Sequence, residues 1–358
     1  MESLLFNVNN GYIEGILRGY RNDLLRAGSY SQLTQCNSLD DLKTQLAQIY
    51  GDYINNIPNP ISTSAIADCA TRKLVDEFQY IRAQSTGSMT EFFNYMTYGY
   101  MIDNVALLIT GTLHNRDTRE LLARCHPLGW FEQLPILCVA TTTEELYNMV
   151  LVDTPLAPYF KASLSSGDFD DKNIEIIRNT LYKAYLEDFY DWCVKRSDVA
   201  GTPTSELMAE ILEFEADRRA INITMNSFGA DLTPQDRANL YPNIGRLYPE
   251  GTNAMKKATS MDELKAAVAG VSEYRQMFDQ SGFGNQSDIR GGPPKSLEDL
   301  FYQKEMELSK MTFTQQFTYA AFFAWVKLQE QEVRNITWIA ECIAQQQKER
   351  INNYIAVF

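Results

Sequence analysis

The sequence is short of the groups that do chemistry. It has two histidines, His114 and His126, and His126 stands before a proline in a turn. No Ser or Cys sits in a nucleophile elbow, no GxxxxGKS/T stretch is present to cradle phosphate, and neither HExxH nor a dinucleotide fingerprint occurs. The six cysteines (Cys36, Cys69, Cys125, Cys138, Cys193, Cys342) make no CxxC pair and no zinc spacing, so buried, reduced thiols are expected. Glycine and proline are sparse outside a few loops, and helix formers dominate. No run approaches the ~18 apolar residues that a membrane helix needs; the best, near Val105–Ile109 and Tyr319–Val326, are too short. The opening Met1-Glu-Ser-Leu-Leu-Phe6 lacks a basic region followed by an apolar stretch, so no signal peptide is expected and the chain is expected to stay in the cytosol. Lys and Arg number 32 against 46 Asp and Glu, a net charge of −14. That excess argues against nucleic-acid binding, which needs a basic face to displace counterions, and against direct docking on anionic lipid. At a membrane, such a chain needs another protein to hold it.

What is present is helical. The expected fold class is all-α, and 358 residues at 45% hydrophobic suffice for a large core. Apolar residues step by three and four at Ile13, Ile16, Leu17 and Leu24, again at Ile66, Ala70, Leu74, Phe78 and Ile81, and again at Ile177, Leu181, Tyr185, Phe189 and Trp192. The last sixty residues read as helix, with Val333, Ile336, Ala340, Ile343, Gln347, Ile351 and Tyr354 on one face. Loops are expected at Asn55–Pro60, Ser85–Ser88, His126–Trp130, Ser163–Lys172 and Asp198–Thr204. In the fourth of these, Asp168, Asp170 and Asp171 resemble part of a calcium loop, but its glycine and closing glutamate are missing. Residues 281–297, rich in Gly, Ser, Asn and Pro, read as a flexible insertion.

A pattern Ser/Thr-x-Asp/Glu-Asp/Glu-Leu recurs at Ser38–Leu42, Thr142–Leu146 and Ser260–Leu264. Its chemistry is that of a helix start: the hydroxyl accepts from first-turn N–H groups, the acid three residues on bonds back, and both acids meet the positive end of the dipole. Asn104 and Asn222 each lie 42 positions before the box leucine. Together these features suggest an internal repeat, over about 3–84, 85–195 and 205–358 of one helical body, with unrelated caps as the alternative.

Glu213, Glu215 and Asp217 lie beside Arg218 and Arg219. A hydrolytic carboxylate pair is one reading and a structural ion-pair cluster is the other. The 20 tyrosines suit helix packing and also wet interfaces, since each has an apolar body and a polar tip. No catalytic, cofactor-binding or metal-ligating residue is assigned.

Several long runs carry a resemblance: Arg124-Cys-His-Pro-Leu-Gly-Trp-Phe131, Val150-Leu-Val-Asp-Thr-Pro-Leu-Ala-Pro-Tyr-Phe160, Asn173-Ile-Glu-Ile-Ile-Arg-Asn179, Leu186-Glu-Asp-Phe-Tyr190, Phe214-Glu-Ala-Asp-Arg-Arg-Ala-Ile-Asn-Ile223, Tyr241-Pro-Asn-Ile-Gly245, and Glu332-Val-Arg-Asn-Ile-Thr-Trp-Ile-Ala-Glu-Cys342 running on to Arg350-Ile-Asn-Asn-Tyr354. Across nearly the whole chain they resemble the subunit d family of eukaryotic vacuolar-type proton ATPases, related to the C component of the archaeal-type enzyme. The 281–297 insertion is the main departure.

The resemblance implies a non-catalytic part of the membrane (V0) sector: a funnel of three pseudo-threefold-related helical parts, one copy per complex. It implies a seat on the cytosolic face of vacuolar or other acidic-organelle membranes, peripheral and held by the complex. The implied partners are the proteolipid c-ring, the central-stalk subunits D and F, and other membrane-sector subunits including subunit a, with no nucleic acid, no membrane insertion and no cofactor. The implied work is to pass stalk rotation to the ring. A helical adaptor bridging soluble partners is the alternative. Glu14, Arg18, Asp103 and Arg219, polar residues on repeat-opening helices, are the candidate partner-facing side chains, with local ion pairs and caps as the competing reading.

Overall fold

The computed structural model describes residues 2–114, 116–140, 142–151, 154–163, 174–196, 198–230, 232–281 and 295–358. Eighteen α-helices and no strand are found among them. In chain order, α1 (Glu2–Asn22), α2 (Ala27–Leu33), α3 (Leu39–Tyr50), α4 (Asp52–Asn55) and α5 (Thr63–Ala83) come first. Then follow α6 (Ser88–Leu113), α7 (Thr118–Arg124), α8 (Leu134–Leu137), α9 (Thr143–Leu151), α10 (Ala157–Ser163) and α11 (Ile174–Lys195). Next are α12 (Pro203–Asn226), α13 (Pro234–Leu240), α14 (Glu250–Met255), α15 (Met261–Val268) and α16 (Ser272–Gln280). The chain ends with α17 (Leu297–Thr312) and α18 (Ala320–Ala344). Most of the 281–297 insertion, and Asp168, Asp170 and Asp171, lie outside the described residues.

The helices fall into two compact units, residues 1–90 with 295–358, and residues 91–294. In the first unit α18 packs against α5 and α17. The stepped residues Ile66, Ala70, Leu74, Phe78 and Ile81 are all buried, as the period requires. Leu42, Leu46 and Tyr50 of α3 join Ile336, Ile339, Ala340 and Ile343 of α18 in one core. Burial on α18 runs nearly all round, from Ala320 to Ile343, so this helix is a central rod rather than a one-faced surface helix.

The expected C-terminal helix is too long. It stops at Ala344, where Gln346 takes φ +58° and Gln347 N–H turns back to the Cys342 carbonyl, 2.8 Å away. That closing bond satisfies a carbonyl at the helix end. Ile351 and Tyr354 still reach the same core, but from a non-helical tail, with the Tyr354 ring stacked on Tyr30 at 4.7 Å. Apolar spacing reported burial there and not conformation.

In the second unit α11 packs against α10, α12 and α13, and α12 against α15. Ile177, Leu181, Tyr185, Phe189 and Trp192 of α11 are buried. An aromatic ladder joins α11 to α6, with Tyr95 stacked on Phe189 at 5.0 Å and Phe92 near Trp192 at 6.0 Å. The polar tips are satisfied at its edges: Tyr95 and Tyr159 hydroxyls donate to Asp188, and Trp192 Nε1 to Glu91. Much of the tyrosine content is therefore internal packing.

The helix-start boxes form as their chemistry demands. Ser38 and Asp41 bond reciprocally, each at 3.1 Å. Thr142 Oγ1 accepts from Glu145 N at 3.1 Å. Ser260 Oγ accepts from Glu263 N at 3.3 Å, but the longer Glu263 side chain reaches back one residue further, to Thr259 N at 2.7 Å. The pattern also occurs at Ser296–Leu300, where it opens α17 with another reciprocal box. It therefore marks helix starts in general. The paired asparagines also differ: Asn104 is buried and holds His126 through two bonds (2.7 and 3.0 Å), whereas Asn222 is exposed. The turn held by Asn104 contains Gly129, where a Cβ would overlap the Tyr100 carbonyl.

All six cysteines are free, and five are buried. No helix among the described residues is long and apolar enough to cross a membrane.

Candidate interaction surfaces

The four partner-facing candidates sort into two polar knots, one in each unit. In the first, Glu14 is 4% exposed and its Oε1 is 2.6 Å from Arg18 Nη2. Both Glu14 oxygens accept from Phe317 N–H at 3.3 Å, and Arg18 donates to the Gln315 carbonyl at 3.0 Å. Phe317 takes φ +63°, a conformation uncommon for a bulky residue. The Glu14–Arg18 pair thus holds the strained turn between α17 and α18 against α1. Arg18 is part-exposed; Glu14 is committed inward.

The second knot brings Asp103 and Arg219 to the same tyrosine. The Tyr182 hydroxyl lies 2.8 Å from Asp103 Oδ2, and the Arg219 guanidinium sits over the Tyr182 ring at 3.5 Å. Asp103 Oδ1 also accepts from Arg178 Nε at 2.9 Å, in a half-exposed pair. Arg219 Nε lies 2.9 Å from Glu215 Oε1, off the line of a hydrogen bond, so that pair attracts as charges. Spacing on α6 and α12 does not foretell this meeting, because its hinge is a tyrosine on α11.

The Glu213–Glu215–Asp217 cluster separates into three jobs. Glu215 pairs with Arg218 at 2.6 Å as well as with Arg219. Glu213 accepts from the Tyr190 hydroxyl at 2.9 Å, beside a cleft of about 450 Å³ that also holds Glu187 and Asp191. Asp217 is buried and touches neither arginine. It accepts from Tyr274 Oη (2.8 Å), Arg246 N (2.9 Å) and Leu247 N (3.1 Å). Burial pushes its carboxyl up to about 6, against the pull of those three donors. Next to it Gly245 takes φ +111°, and a Cβ there would overlap Asp217 Oδ1. The carboxylate fastens a loop, which is a structural task.

A second buried acid, Glu332, was not singled out from the sequence. It accepts from Leu25 N at 2.5 Å and Tyr50 Oη at 2.6 Å, and burial raises its carboxyl to about 7. Nearby, Lys73 and Glu77 pair at 2.7 Å in the same interior. It stands in the polar stretch Gln329-Glu-Gln-Glu-Val-Arg-Asn335, where nothing in the spacing marks it as buried.

No set of three or more metal-competent side chains is found among the described residues. Outward, α1 exposes Leu5, Val8 and Tyr12, with the Tyr12 and Tyr80 hydroxyls 3.3 Å apart. In the other unit, Trp130, Ile136 and Val139 are exposed. Ile136 and Val139 belong to the run Leu134-Pro-Ile-Leu-Cys-Val139, whose Leu134 and Leu137 are buried.

The described residues thus offer exposed apolar surfaces and polar braces. The family model described as ATP synthase (C/AC39) subunit matches residues 13–354. The V-type proton ATPase subunit d of Neurospora crassa is 65% identical, over 100% of both chains. That of Saccharomyces cerevisiae is 53% identical, also over 100% of both. That of Dictyostelium discoideum is 50% identical over 99% of this chain and 96% of the relative. Matched from end to end in this way, the chain belongs to the ATP synthase (C/AC39) subunit family, among proteins of the V-type proton ATPase subunit d kind.

Proposed function

We propose that this chain, a non-catalytic subunit of a V-type proton ATPase, couples rotation of the central stalk to the proteolipid ring and so links ATP hydrolysis to proton transport. The observation that carries the reading is the full-length likeness to V-type proton ATPase subunit d, at 65% identity with no unmatched end. A coupling part needs stiffness, which close-packed helices supply. A central rod buried on most sides and loops fastened by buried acids suit that task.

In this reading the chain is a funnel of three related helical parts on the cytosolic face of the membrane. The ring lies below it, stalk subunits D and F enter from above, and subunit a stands alongside. The absence of a membrane-crossing helix among the described residues fits attachment through other subunits. Of the four candidate side chains, Arg18 and Asp103 face partners; Glu14 holds Arg18 in place, and Arg219 braces the Tyr182 ring whose hydroxyl donates to Asp103.

The test is removal of the chain from the cell that makes it. Coupling predicts that acidification of the organelle fails and that stalk and ring no longer co-isolate in mild detergent. The chain itself should leave membranes in alkaline carbonate. Intact acidification without the chain defeats the reading and leaves an adaptor between soluble partners.

A further inference from the structure

The second unit carries a groove of about 720 Å³ between α8 and the first turns of α9. Leu137, Ile136 and Met149 supply its apolar lining, and Glu144 and Glu145 stand in it from the first turn of α9. Gln133, Thr142 and Asn148 complete the lining, and none of its described residues is basic. Ile136 is 58% exposed, and Val139, one turn on, is 68% exposed. Glu132, just before the groove, is exposed as well.

These features select an occupant. The volume lies within the ~300–1,000 Å³ of ligand-sized clefts, and the groove is open to solvent, which admits a partner's side chains. The local backbone is already bonded to itself: Ile136 N and Leu137 N to the Gln133 carbonyl, Val139 N to Ile136, Ala140 N to Leu137. The described residues here offer no sheet edge for an extended peptide to join, so a partner must satisfy its own backbone, as a helix does. Acids beside exposed apolar groups, on a chain of net charge −14, repel anionic lipid and acidic peptides and attract Lys and Arg.

We propose that this groove is a docking site for a basic amphipathic helix of another polypeptide. The helix lays an apolar stripe over Ile136, Leu137 and Met149, and its flanking Lys or Arg side chains meet Glu144 and Glu145. Desolvation of Ile136 and Val139 supplies affinity, and the acids set orientation and partner choice. The proposal does not rest on the coupling role, because binding is read on the isolated full-length chain.

The probe is a fluorescein-labelled synthetic peptide of about four helical turns, with Leu on one face and Lys on its flanks. A second peptide carries Glu in place of every Lys. Fluorescence anisotropy with the intact chain is expected to show saturable binding of the Lys peptide and at least about tenfold weaker binding of the Glu peptide. Ile136→Glu is expected to weaken the Lys peptide by about tenfold or more. Glu144→Lys with Glu145→Lys should reverse the preference between the two peptides. Unchanged melting confirms that the variants fold, and the exposed position of Ile136 leaves that readout intact. Equal binding by wild type and Ile136→Glu overturns the proposal. So does a preference indifferent to charge reversal, or partition of the chain onto phosphatidylcholine vesicles with no peptide binding.

Discussion

Among the described residues the most deeply buried acid of the first unit is Glu332 on α18, and that of the second is Asp217 on α12; both are 1% exposed. Each accepts from a tyrosine hydroxyl, Tyr50 or Tyr274, and each fastens backbone N–H groups distant in the chain. They differ in what surrounds them. Asp217 has three donors, two of them backbone N–H groups that cannot turn away. Glu332 has two, one of them a hydroxyl that can rotate; each acid also has a like charge nearby, Glu77 or Glu213, and Glu332 has the opposite charge of Lys73 as well. Donors favour the charged form at both sites, and burial outweighs them at both. The comparison teaches that both clasps answer to the proton supply, and that fixed backbone donors hold Asp217 where a hydroxyl that can turn shares the hold on Glu332.

The largest expected effect is on the pH dependence of stability. Both carboxyls are raised in the folded chain, Glu332 from 4.5 to about 7 and Asp217 from 3.8 to about 6. The folded state therefore keeps a proton that the unfolded state has already released. Each contribution is fully present below the unfolded value and is lost as pH rises through the folded one. For Glu332 the loss amounts to about 3 kcal/mol, complete just above pH 7. Asp217 completes its loss just above pH 6, so between about pH 6 and 7.5 the first unit weakens more than the second. Glu77, raised first by burial and opposed by Lys73, moves in the same direction. Hydrogen exchange read separately in α18 and α12 checks this. Equal loosening of both helices across that window breaks the comparison.

Amide replacement gives a smaller and more selective effect. In Asp217→Asn the amide NH₂ faces a backbone N–H whichever way it turns, since Arg246 N and Leu247 N occupy different oxygens. One donor is left unpaired, at a cost of about 2 kcal/mol. In Glu332→Gln the NH₂ can point at the Tyr50 oxygen while the carbonyl keeps Leu25 N. The cost there is below about 1 kcal/mol at acid pH, and the variant gains on wild type above pH 7, because no charge is then buried. Denaturant melts of both variants at about pH 5 and pH 8 measure the difference. A Glu332→Gln penalty that matches that of Asp217→Asn at both pH values refutes the rotating-hydroxyl account.

How much of this was legible in the sequence depends on range. The all-α class, the stepped faces of α5 and α11, and the box-opened helices rest on residues three or four apart, and they hold in the structure. The clasps rest on contacts 307 residues apart for Leu25 with Glu332 and 29 apart for Arg246 with Asp217, beyond any periodic signal. The candidate residues show the same divide. The i,i+4 pair Glu14–Arg18 was readable as a pair, but its grip on Phe317 was not. Asp103 and Arg219 meet only through Tyr182. At the C-terminus the spacing of Ile351 and Tyr354 foretold burial correctly and helix wrongly, because a left-handed residue leaves no trace in hydrophobic period.

The smallest effects separate the two units at their helix starts. Ser38→Ala and Ser260→Ala each remove a cap and should cost about 1 kcal/mol. The back-bonds differ: Asp41 returns to Ser38 N, whereas Glu263, one methylene longer, passes Ser260 and reaches Thr259 N and Oγ1. If side-chain length alone sets the target, Glu263→Asp draws the bond back to Ser260 N and frees Thr259. Amide exchange should then quicken at Thr259 and slow at Ser260, with little change in overall melting. Exchange unchanged at both amides would mean that the preceding loop, and not the acid's reach, fixes the partner.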